Sequence, residues 1–390
     1  MAYFFMLKIK RLLFSFISIF LVFNFAVFSS FIYAADLDVS AKSAILICAD
    51  SCSTLWSKNE TEPLSMASTT KIMTALLALE AMRAKQNKEV EISEEMVRVE
   101  GTSMGLKAGD IVSMEALAQG MLLCSGNDAA NAAAVAVSGN VEDFIFLMNE
   151  KAKIIGMKDT KFSTPSGLDK DDHHSTAKDM AVLGAYAMEN EDFAKIVSQK
   201  SMKVKFINPS KVVSYKNHNK LLRLYEGCIG IKTGFTKSAG RCLVSCAEKN
   251  GVRLICVTLN APNDWDDHIK LYNFGFNNTE SKVFDDRNLK IEIPIKNSNN
   301  EKIVAMGISS FSRTFKKGEG NNITRVVDIP KIYEGNVKKG QTLGKVIYYQ
   351  GDKIIGSNAI VSDSEFIKKE PERVGFWGYI GNFFKNLFKK

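Results

Sequence analysis

Strand-like sequence stands at both ends of a long helical stretch, and this arrangement limits the fold more than any other feature of the chain. Residues 43–58 contain two short apolar runs around a turn, and residues 229–260 contain three more, which predicts strands at both places. Between them apolar residues recur at helical spacing, most clearly in 72–82 and 114–137. We therefore expect one sheet covered by an all-helical insertion, an α/β (α+β) domain over residues 36–276.

A second unit is expected after this domain. Residues 282–365 alternate apolar and polar positions, as in Lys290 to Ile295, with Asn and Gly clusters between the runs. This pattern predicts a small β-sandwich, and it holds no cluster of chemically reactive residues. We expect this unit to act in spacing or docking. With 24% charged and 46% hydrophobic residues, the composition excludes a disordered or fibrous chain.

The first 34 residues have the pattern of an export signal. A basic start with Lys8, Lys10 and Arg11 precedes the apolar run 12–28, and lighter residues lead to Ala34. We expect cleavage after Ala34. The apolar run also approaches spanning length, so an uncleaved membrane anchor is the alternative.

The last twenty residues, 371–390, predict an amphipathic helix lying on a membrane surface. Its apolar residues fall on one helix face, and they are Phe376, Trp377, Ile380, Phe383, Phe384, Leu387 and Phe388. Lysines close the segment, which suits an anionic interface. A helix packed on the protein's own core is the alternative. The net charge of +8 is modest and gives no reason to expect a nucleic-acid partner.

The seven cysteines do not form a regular disulfide framework, because an odd number leaves at least one thiol unpaired within the chain. Cys48 and Cys52 are close enough to bridge, yet Cys48 lies in a strand-like run, so buried thiols and bridges both stay open. The four histidines lie away from any CxxC pair. We expect no metal and no cofactor.

Three short motifs follow one another along the chain: Ser68-Thr69-Thr70-Lys71, Ser125-Gly126-Asn127 and Lys232-Thr233-Gly234. Together they supply a nucleophilic hydroxyl, an amine three residues further on, a second hydroxyl near an amide, and a cation beside a hydroxyl. An enzyme that acylates a serine with a substrate ending in a carboxylate needs this set.

The first motif indicates how its serine becomes reactive, since serine is a weak nucleophile without a nearby base. Ser68 and Lys71 are about one helical turn apart, which puts both side chains on one face near the positive end of the helix dipole. An amine accepts a proton only when it is neutral. Burial and a second cation, for which Lys232 is the candidate, both lower the pKa of a lysine.

Two of the motifs have a second match in the chain. Ser175-Thr176-Ala177-Lys178 repeats the Ser-x-x-Lys spacing, but Thr176 and Asp179 have capping-box spacing, which predicts a helix start. Ser138-Gly139-Asn140 lies where glycine ends a helix. Lys-Thr-Gly occurs once.

The motifs lie in segments that resemble the low-molecular-mass penicillin-binding proteins, the serine D-alanyl-D-alanine carboxypeptidases. The similar segments are residues 63–75, 122–130, 162–169, 174–181 and 230–240. The resemblance covers residues 41–276, and more loosely the β-rich unit and the terminal helix. It implies a penicillin-binding/β-lactamase-like fold with a helical insertion. Cys124 departs from the pattern, in which we expect a small or aliphatic residue.

The resemblance also implies how the reaction proceeds. Ser68 would attack the terminal D-Ala-D-Ala bond of peptidoglycan pentapeptide stems, expel D-alanine and form an acyl-enzyme that water releases. Lys71 would take the proton of Ser68, and Ser125 would relay a proton to the leaving amine. β-Lactam antibiotics resemble the same dipeptide end and would acylate the same serine.

Five further residues would hold the substrate, by the same resemblance. Lys232 and Thr233 would bind its terminal carboxylate, within the Lys-Thr-Gly segment that Gly234 completes. Asn127 would orient the acyl side chain. The oxyanion would lie between the backbone N–H groups of Phe235 and of the nucleophile. Export and the terminal helix would place this site on the outer face of a bacterial cytoplasmic membrane.

Three other functions compete with this prediction. A class A-like β-lactamase shares the motifs, but its Glu-x-x-Leu-Asn segment is missing between Ser125 and Lys232. A non-catalytic wall-binding protein would not need every motif residue intact. Transpeptidation uses the same acyl-enzyme and stays open as a side reaction.

Overall fold

The computed structural model describes residues 37–85, 89–170, 172–296 and 301–367. The predicted signal segment 1–34 and the predicted terminal helix 371–390 lie outside the described residues.

A five-stranded antiparallel sheet forms the centre of the first domain. Its strands are β1 (Ser43–Cys48), β2 (Thr54–Lys58), β7 (Cys228–Thr236), β8 (Gly240–Lys249) and β9 (Val252–Leu259), in the order β2-β1-β9-β8-β7. The side chains of β1 point alternately to the two faces of the sheet, and both faces are buried. Ile45 and Ile47 join the core on one face, and Leu46 and Cys48 join the core on the other. Strand β7 lies at the edge, with one side open.

Helices cover both faces of this sheet. The insertion between β2 and β7 contains α1 (Lys71–Lys85), α2 (Glu94–Val97), α3 (Met114–Leu123), α4 (Asn127–Ser138), α5 (Val141–Ile155), α6 (Ala177–Met188), α7 (Glu191–Val197) and α8 (Leu221–Leu224). Helix α9 (Asp264–Asn277) packs on the opposite face through Leu271 and Tyr272. The predicted sheet with a helical insertion is therefore correct.

The expectation of an all-helical insertion is wrong. Two small antiparallel sheets of two strands each lie within it. One pairs β3 (Glu89–Glu91) with β4 (Ile111–Ser113), and the other is a hairpin of β5 (Ser201–Phe206) with β6 (Lys211–Lys216). Strand β5 buries Val204 and Phe206 and exposes Lys203 and Lys205, an alternation of period two that the helical segments on either side concealed.

The helix starts follow the expected capping chemistry only in part. Thr176 Oγ1 accepts a hydrogen bond from the Asp179 N–H at 3.1 Å, as an N-cap should. The Asp179 carboxylate does not complete the capping box. It accepts instead from the Asp159 N–H and the Thr160 hydroxyl, both at 2.7 Å, and so ties a neighbouring loop to α6.

The second unit is built of strands alone among its described residues. They are β10 (Thr279–Asp285), β11 (Lys290–Pro294), β12 (Lys302–Gly307), β13 (Ser310–Lys316), β14 (Ile323–Asp328), β15 (Thr342–Gln350) and β16 (Lys353–Ser362). Five of them form an antiparallel sheet in the order β11-β12-β16-β15-β14, and β10 pairs with β13. The rings of Phe284, Phe311 and Tyr348 pack between the two layers, with centroids 4.8–5.5 Å apart.

Two hydrogen bonds join this unit to the turn between β1 and β2. Arg313 Nη1 donates to the Asp50 carbonyl at 2.7 Å, and the Thr314 N–H donates to the Asp50 carboxylate at 2.5 Å. Across the described ranges, no helix has both the length and the apolar character needed to cross a membrane.

Candidate active site

Ser68 lies in a 3₁₀ turn of residues 67–70, which we call the Ser68 turn, directly before α1. Ala67 has a φ of +47°, a left-handed conformation that is costly for a residue with a Cβ. Two threonine hydroxyls hold this backbone: Thr69 Oγ1 donates to the Met66 carbonyl at 2.6 Å, and Thr70 Oγ1 donates to the Ala67 carbonyl at 2.8 Å. The predicted helix start is correct in position, and its first turn is tighter than expected.

The amine of Lys71 is fully buried beneath Ser68. Its Nζ lies 2.9 Å from Ser68 Oγ, 2.7 Å from Asn127 Oδ1 and 2.6 Å from the Ser166 carbonyl. Burial lowers the pKa of Lys71 well below its usual value, and the charge of Lys232 lowers it further.

These three partners determine where the lone pair of a neutral Lys71 points. The amide oxygen of Asn127 and the carbonyl of Ser166 can only accept hydrogen bonds, so they take the two N–H groups of the neutral amine. The lone pair is then left for Ser68, whose O–H can donate to it across 2.9 Å. The geometry is that of a serine with its base in place.

Strand β7 runs close beside the Ser68 turn and carries the third motif. A Cβ built on Gly234 would lie 3.0 Å from the Met66 carbonyl oxygen and 3.1 Å from the backbone nitrogens of Ser68 and Thr69. Only a glycine permits this approach without displacement. Lys232 is 1% exposed, and its Nζ donates to the Thr233 carbonyl at 2.8 Å. Burial lowers the pKa of Lys232 to about 7.

The second motif connects α3 and α4, as predicted. Ser125 has a φ of +64° and is 6% exposed, and its carbonyl accepts from the Thr102 hydroxyl at 2.7 Å. Asn127 begins α4, and its amide nitrogen donates to the Glu100 carbonyl at 2.7 Å while its oxygen accepts from Lys71. Both ends of the Asn127 amide are therefore committed to the protein itself.

One open cleft of about 330 Å³ contains most of the predicted residues. Ser68, Ser125, Thr233, Gly234 and Phe235 line it, and Lys71, Lys232 and Asn127 lie buried beneath. The first motif, the second and the third thus meet at one place.

Several cleft residues could not be recognised from the sequence. They are Thr102, His218, Lys220, Arg241, Asp264 and Trp265. The Arg241 guanidinium is neutralised by Asp264 at 2.7 Å and lies over the Trp265 ring. Lys220 also lines the cleft, and a cation at this place suits an anionic substrate.

Sequence reasoning also gave no role to the segment that follows α5. The Ser166 carbonyl reaches Lys71 from it, and the Pro165 carbonyl accepts from the Thr74 hydroxyl at 2.6 Å. A Cβ on Gly167 would lie 2.0 Å from the Ala67 carbonyl oxygen, so this loop presses on the Ser68 turn. The only available signal was the resemblance of residues 162–169 to a family segment.

The second matches of the motifs are structural, as expected. Ser175 is fully buried and its hydroxyl lies 2.7 Å from Thr160 Oγ1, whereas the Lys178 amine is exposed. Gly139, with a φ of +87°, ends α4, and Asn140 caps the start of α5.

All seven cysteines are free thiols, so no bridge joins Cys48 to Cys52. Cys124 ends α3 next to Ser125, and its thiol donates to the Gly120 carbonyl at 3.2 Å. Burial raises the pKa of Cys124 to about 11, which keeps it protonated and unreactive at neutral pH.

Fold and site together are those of a serine acyl-transfer enzyme: a serine over a buried lysine, at the edge of an antiparallel sheet that carries a second buried lysine. Comparison with known proteins narrows this class. The profile described as D-alanyl-D-alanine carboxypeptidase matches residues 30–263, and that of the penicillin-binding protein 5 C-terminal domain matches residues 282–368.

Individual proteins are similar to this chain over most of its length. D-alanyl-D-alanine carboxypeptidase DacF of Bacillus subtilis is 31% identical over 350 residues, 88% of each chain. The crystal structure of penicillin-binding protein 5 from Haemophilus influenzae is 29% identical with a TM-score of 0.63, covering 85% of this chain and 98% of that one. That of DacD from Francisella tularensis is 26% identical with a TM-score of 0.61, covering 86% and 95%.

The chain belongs to the D-alanyl-D-alanine carboxypeptidase family. The predicted family, the serine carboxypeptidase function and the penicillin-binding-like α/β domain followed by a β-domain are confirmed.

Proposed function

We propose that this chain removes the terminal D-alanine from peptidoglycan pentapeptide stems through an acyl-enzyme on Ser68. The observation that carries the proposal is the environment of Lys71, which is buried, lies 2.9 Å from Ser68 Oγ and has two other partners that can only accept. A lysine in this state takes the serine proton as the hydroxyl attacks the carbonyl.

The remaining steps use the residues of the cleft. As the C–N bond breaks, the leaving D-alanine amine needs a proton, and Ser125 relays one to it from the buried lysines. The oxyanion lies between the backbone N–H groups of Ser68 and Phe235, preorganised donors worth about 3–4 kcal/mol each in mutational studies. Water then attacks the ester and regenerates the Ser68 hydroxyl.

The terminal carboxylate of the substrate binds at the third motif. A carboxylate close to Lys232 restores the charge of this lysine, because an anion raises the pKa that burial has lowered to about 7. The Thr233 hydroxyl adds a donor. Asn127 positions Lys71 through its amide oxygen, and its amide nitrogen, which has a second N–H beside the one donated to the Glu100 carbonyl, orients the acyl side chain of the substrate.

Labelling with a fluorescent penicillin tests the nucleophile. The wild-type protein should be labelled and Ser68→Ala should not, while Ser175→Ala, the matched serine of the second Ser-x-x-Lys match, should label as the wild type does. Equal labelling of wild type and Ser68→Ala would rule out Ser68 as the acylated residue.

Release of free D-alanine tests the reaction itself. A pentapeptide ending in D-Ala-D-Ala should lose its last residue, and the same peptide ending in L-alanine should not. Rapid penicillin hydrolysis without D-alanine release would favour the β-lactamase-like alternative.

We also propose that the protein is exported and held at the outer face of the cytoplasmic membrane by residues 371–390. The support is the basic, apolar pattern of residues 1–34 and the aromatic face of the terminal segment.

A further inference from the structure

His173 is a buried histidine, 6% exposed, that lies between the Ser68 turn and residues 163–168. Its ring contacts Phe162 at a centroid distance of 6.1 Å. None of the three motifs contains it. Its neighbour His174 is partly exposed and lies 3.1 Å from the Asp172 carboxylate.

The partners of His173 determine its tautomer and the direction of each hydrogen bond. The Ser163 N–H can only donate, and it lies 2.9 Å from Nδ1, so Nδ1 is the acceptor. The ring proton is then on Nε2, which donates to Thr70 Oγ1 at 2.9 Å. The Thr70 hydroxyl passes its own proton on to the Ala67 carbonyl at 2.8 Å.

Burial keeps this arrangement in one protonation state at neutral pH. It lowers the pKa of His173 to about 4, against a smaller opposing effect of Asp169 and with a further lowering by His174. A neutral ring is required, because a protonated Nδ1 could no longer accept from Ser163.

Both ends of this hydrogen-bond chain reach the reacting groups. One end is the carbonyl of Ala67, the strained residue directly before Ser68. The other end is the N–H of Ser163, in the segment 163–168 that presents the Ser166 carbonyl to Lys71 at 2.6 Å. The two ends thus support the nucleophile and its base.

We propose that His173 is a positioning residue that joins residues 163–168 to the Ser68 turn and so aligns Ser68 with Lys71. The proposal rests on the acyl-enzyme function of Ser68 proposed above. His173 touches neither substrate nor nucleophile, and it acts through Thr70 and Ser163.

Two amide substitutions separate the two hydrogen bonds of the ring. A glutamine nitrogen can reach the position of Nε2, so His173→Gln keeps the donor to Thr70. An asparagine oxygen can reach the position of Nδ1, so His173→Asn keeps only the acceptor for Ser163. The measured quantity is the rate of acylation by a fluorescent penicillin, with the thermal unfolding midpoint of each variant beside it.

We expect His173→Asn to acylate about tenfold more slowly, since a shift of a few tenths of an ångström between reacting groups costs less than the 10²-fold typical of 1 Å. His173→Gln should retain most of the rate, and kcat for D-alanine release should fall in the asparagine variant with KM unchanged. His174→Asn, the same change one residue on, is the matched control and should match the wild type.

Wild-type acylation in His173→Asn would overturn the proposal. So would equal loss in the asparagine and glutamine variants, because a purely structural role does not distinguish the two amides. If both variants fail to fold, Thr70→Ser and Thr70→Val test the same chain from its other end. The serine variant keeps the hydroxyl, so its acylation rate should stay close to that of the wild type. The valine variant should acylate about tenfold more slowly. Equal acylation rates in the two variants would refute the inference. Whether Ser68 is the acylated residue is tested separately, by the labelling of Ser68→Ala.

Discussion

Gly234→Ala tests how closely the third motif must approach the nucleophile. The new Cβ would lie 3.0 Å from the Met66 carbonyl oxygen and 3.1 Å from two backbone nitrogens of the Ser68 turn, whereas ordinary contact begins at 3.4 Å. All three neighbours are backbone atoms, so β7 has to move away from the turn by a few tenths of an ångström. The Phe235 N–H, the next group along β7, moves with it.

The expected loss of rate follows from this displacement. Removing one oxyanion donor costs about 10²–10³-fold, so moving a donor slightly should slow acylation by about tenfold. Because β7 is an edge strand, it can relax away from the turn. We therefore expect the free energy of unfolding to fall by about 1 kcal/mol, the lower end of the range for overpacked sites. The assay is the acylation rate with a fluorescent penicillin, beside the free energy of unfolding in urea.

Gly184→Ala is the matched control. Its Cβ would meet neighbours at 3.1 and 3.2 Å, but these are side-chain methyl groups of Val244 and Ile255, and the site lies in α6 and not against the backbone of the Ser68 turn. Alanine also gains helix propensity of about 0.8–1 kcal/mol over glycine. Wild-type acylation by Gly234→Ala, with the control unchanged, would refute the close-approach argument.

Four further predictions concern charge, hydrogen bonding and the termini. As pH rises, kcat/KM for D-alanine release should first increase because Lys71 deprotonates. It should fall again above about pH 7, where Lys232 of the substrate-free enzyme loses its charge. A flat profile from pH 6 to 9 would contradict the roles of both lysines. Because the unfolded state keeps a proton on Lys232 that the folded state has lost, wild-type stability should gain more than that of Lys232→Met as pH rises from 7 toward 10, measured by urea unfolding. Asn127→Leu removes one acceptor of Lys71 and leaves the Glu100 carbonyl without its donor, so penicillin labelling should slow by about 100-fold. Deletion of residues 371–390 should move the processed protein to the soluble fraction, and continued pelleting would count against the membrane role.

Local patterns were sufficient to predict the elements that carry the motifs. The apolar run that contains Ile45 and Ile47 predicts β1. The Ser-Gly-Asn motif lies inside the predicted helical stretch 114–137, at the junction of α3 and α4. The sequence predicted one sheet from strands at both ends of the domain, but it did not identify β9 as the partner of β1. The predicted features depend on periodicity, which a single sequence displays directly.

The environment of Lys71 depends on contacts that have no local signature. The Ser166 carbonyl and the Glu100 carbonyl, which fixes Asn127, are backbone groups, so the identity of the side chain gives no indication of them. Nothing in the sequence indicated a role for His173, because its burial depends on packing against a turn distant in sequence. The hairpin containing Val204 and Phe206 was missed because it lies between α7 and α8, in a stretch that was expected to be all-helical.

The two Ser-x-x-Lys segments of this chain show what spacing alone can and cannot do. Ser175 and Lys178 have the same separation as Ser68 and Lys71, yet Ser175 points to a threonine hydroxyl and the Lys178 amine is exposed, 3.7 Å from Glu60. This segment therefore lacks the contact between hydroxyl and amine that a nucleophile and its base require. Lys71 differs because burial, two acceptor-only partners and a second buried lysine act on the same nitrogen. Spacing brings the amine within reach of the hydroxyl, and it is the surrounding loop, helix and strand that lower the pKa of Lys71 and direct its lone pair, when it is neutral, toward Ser68.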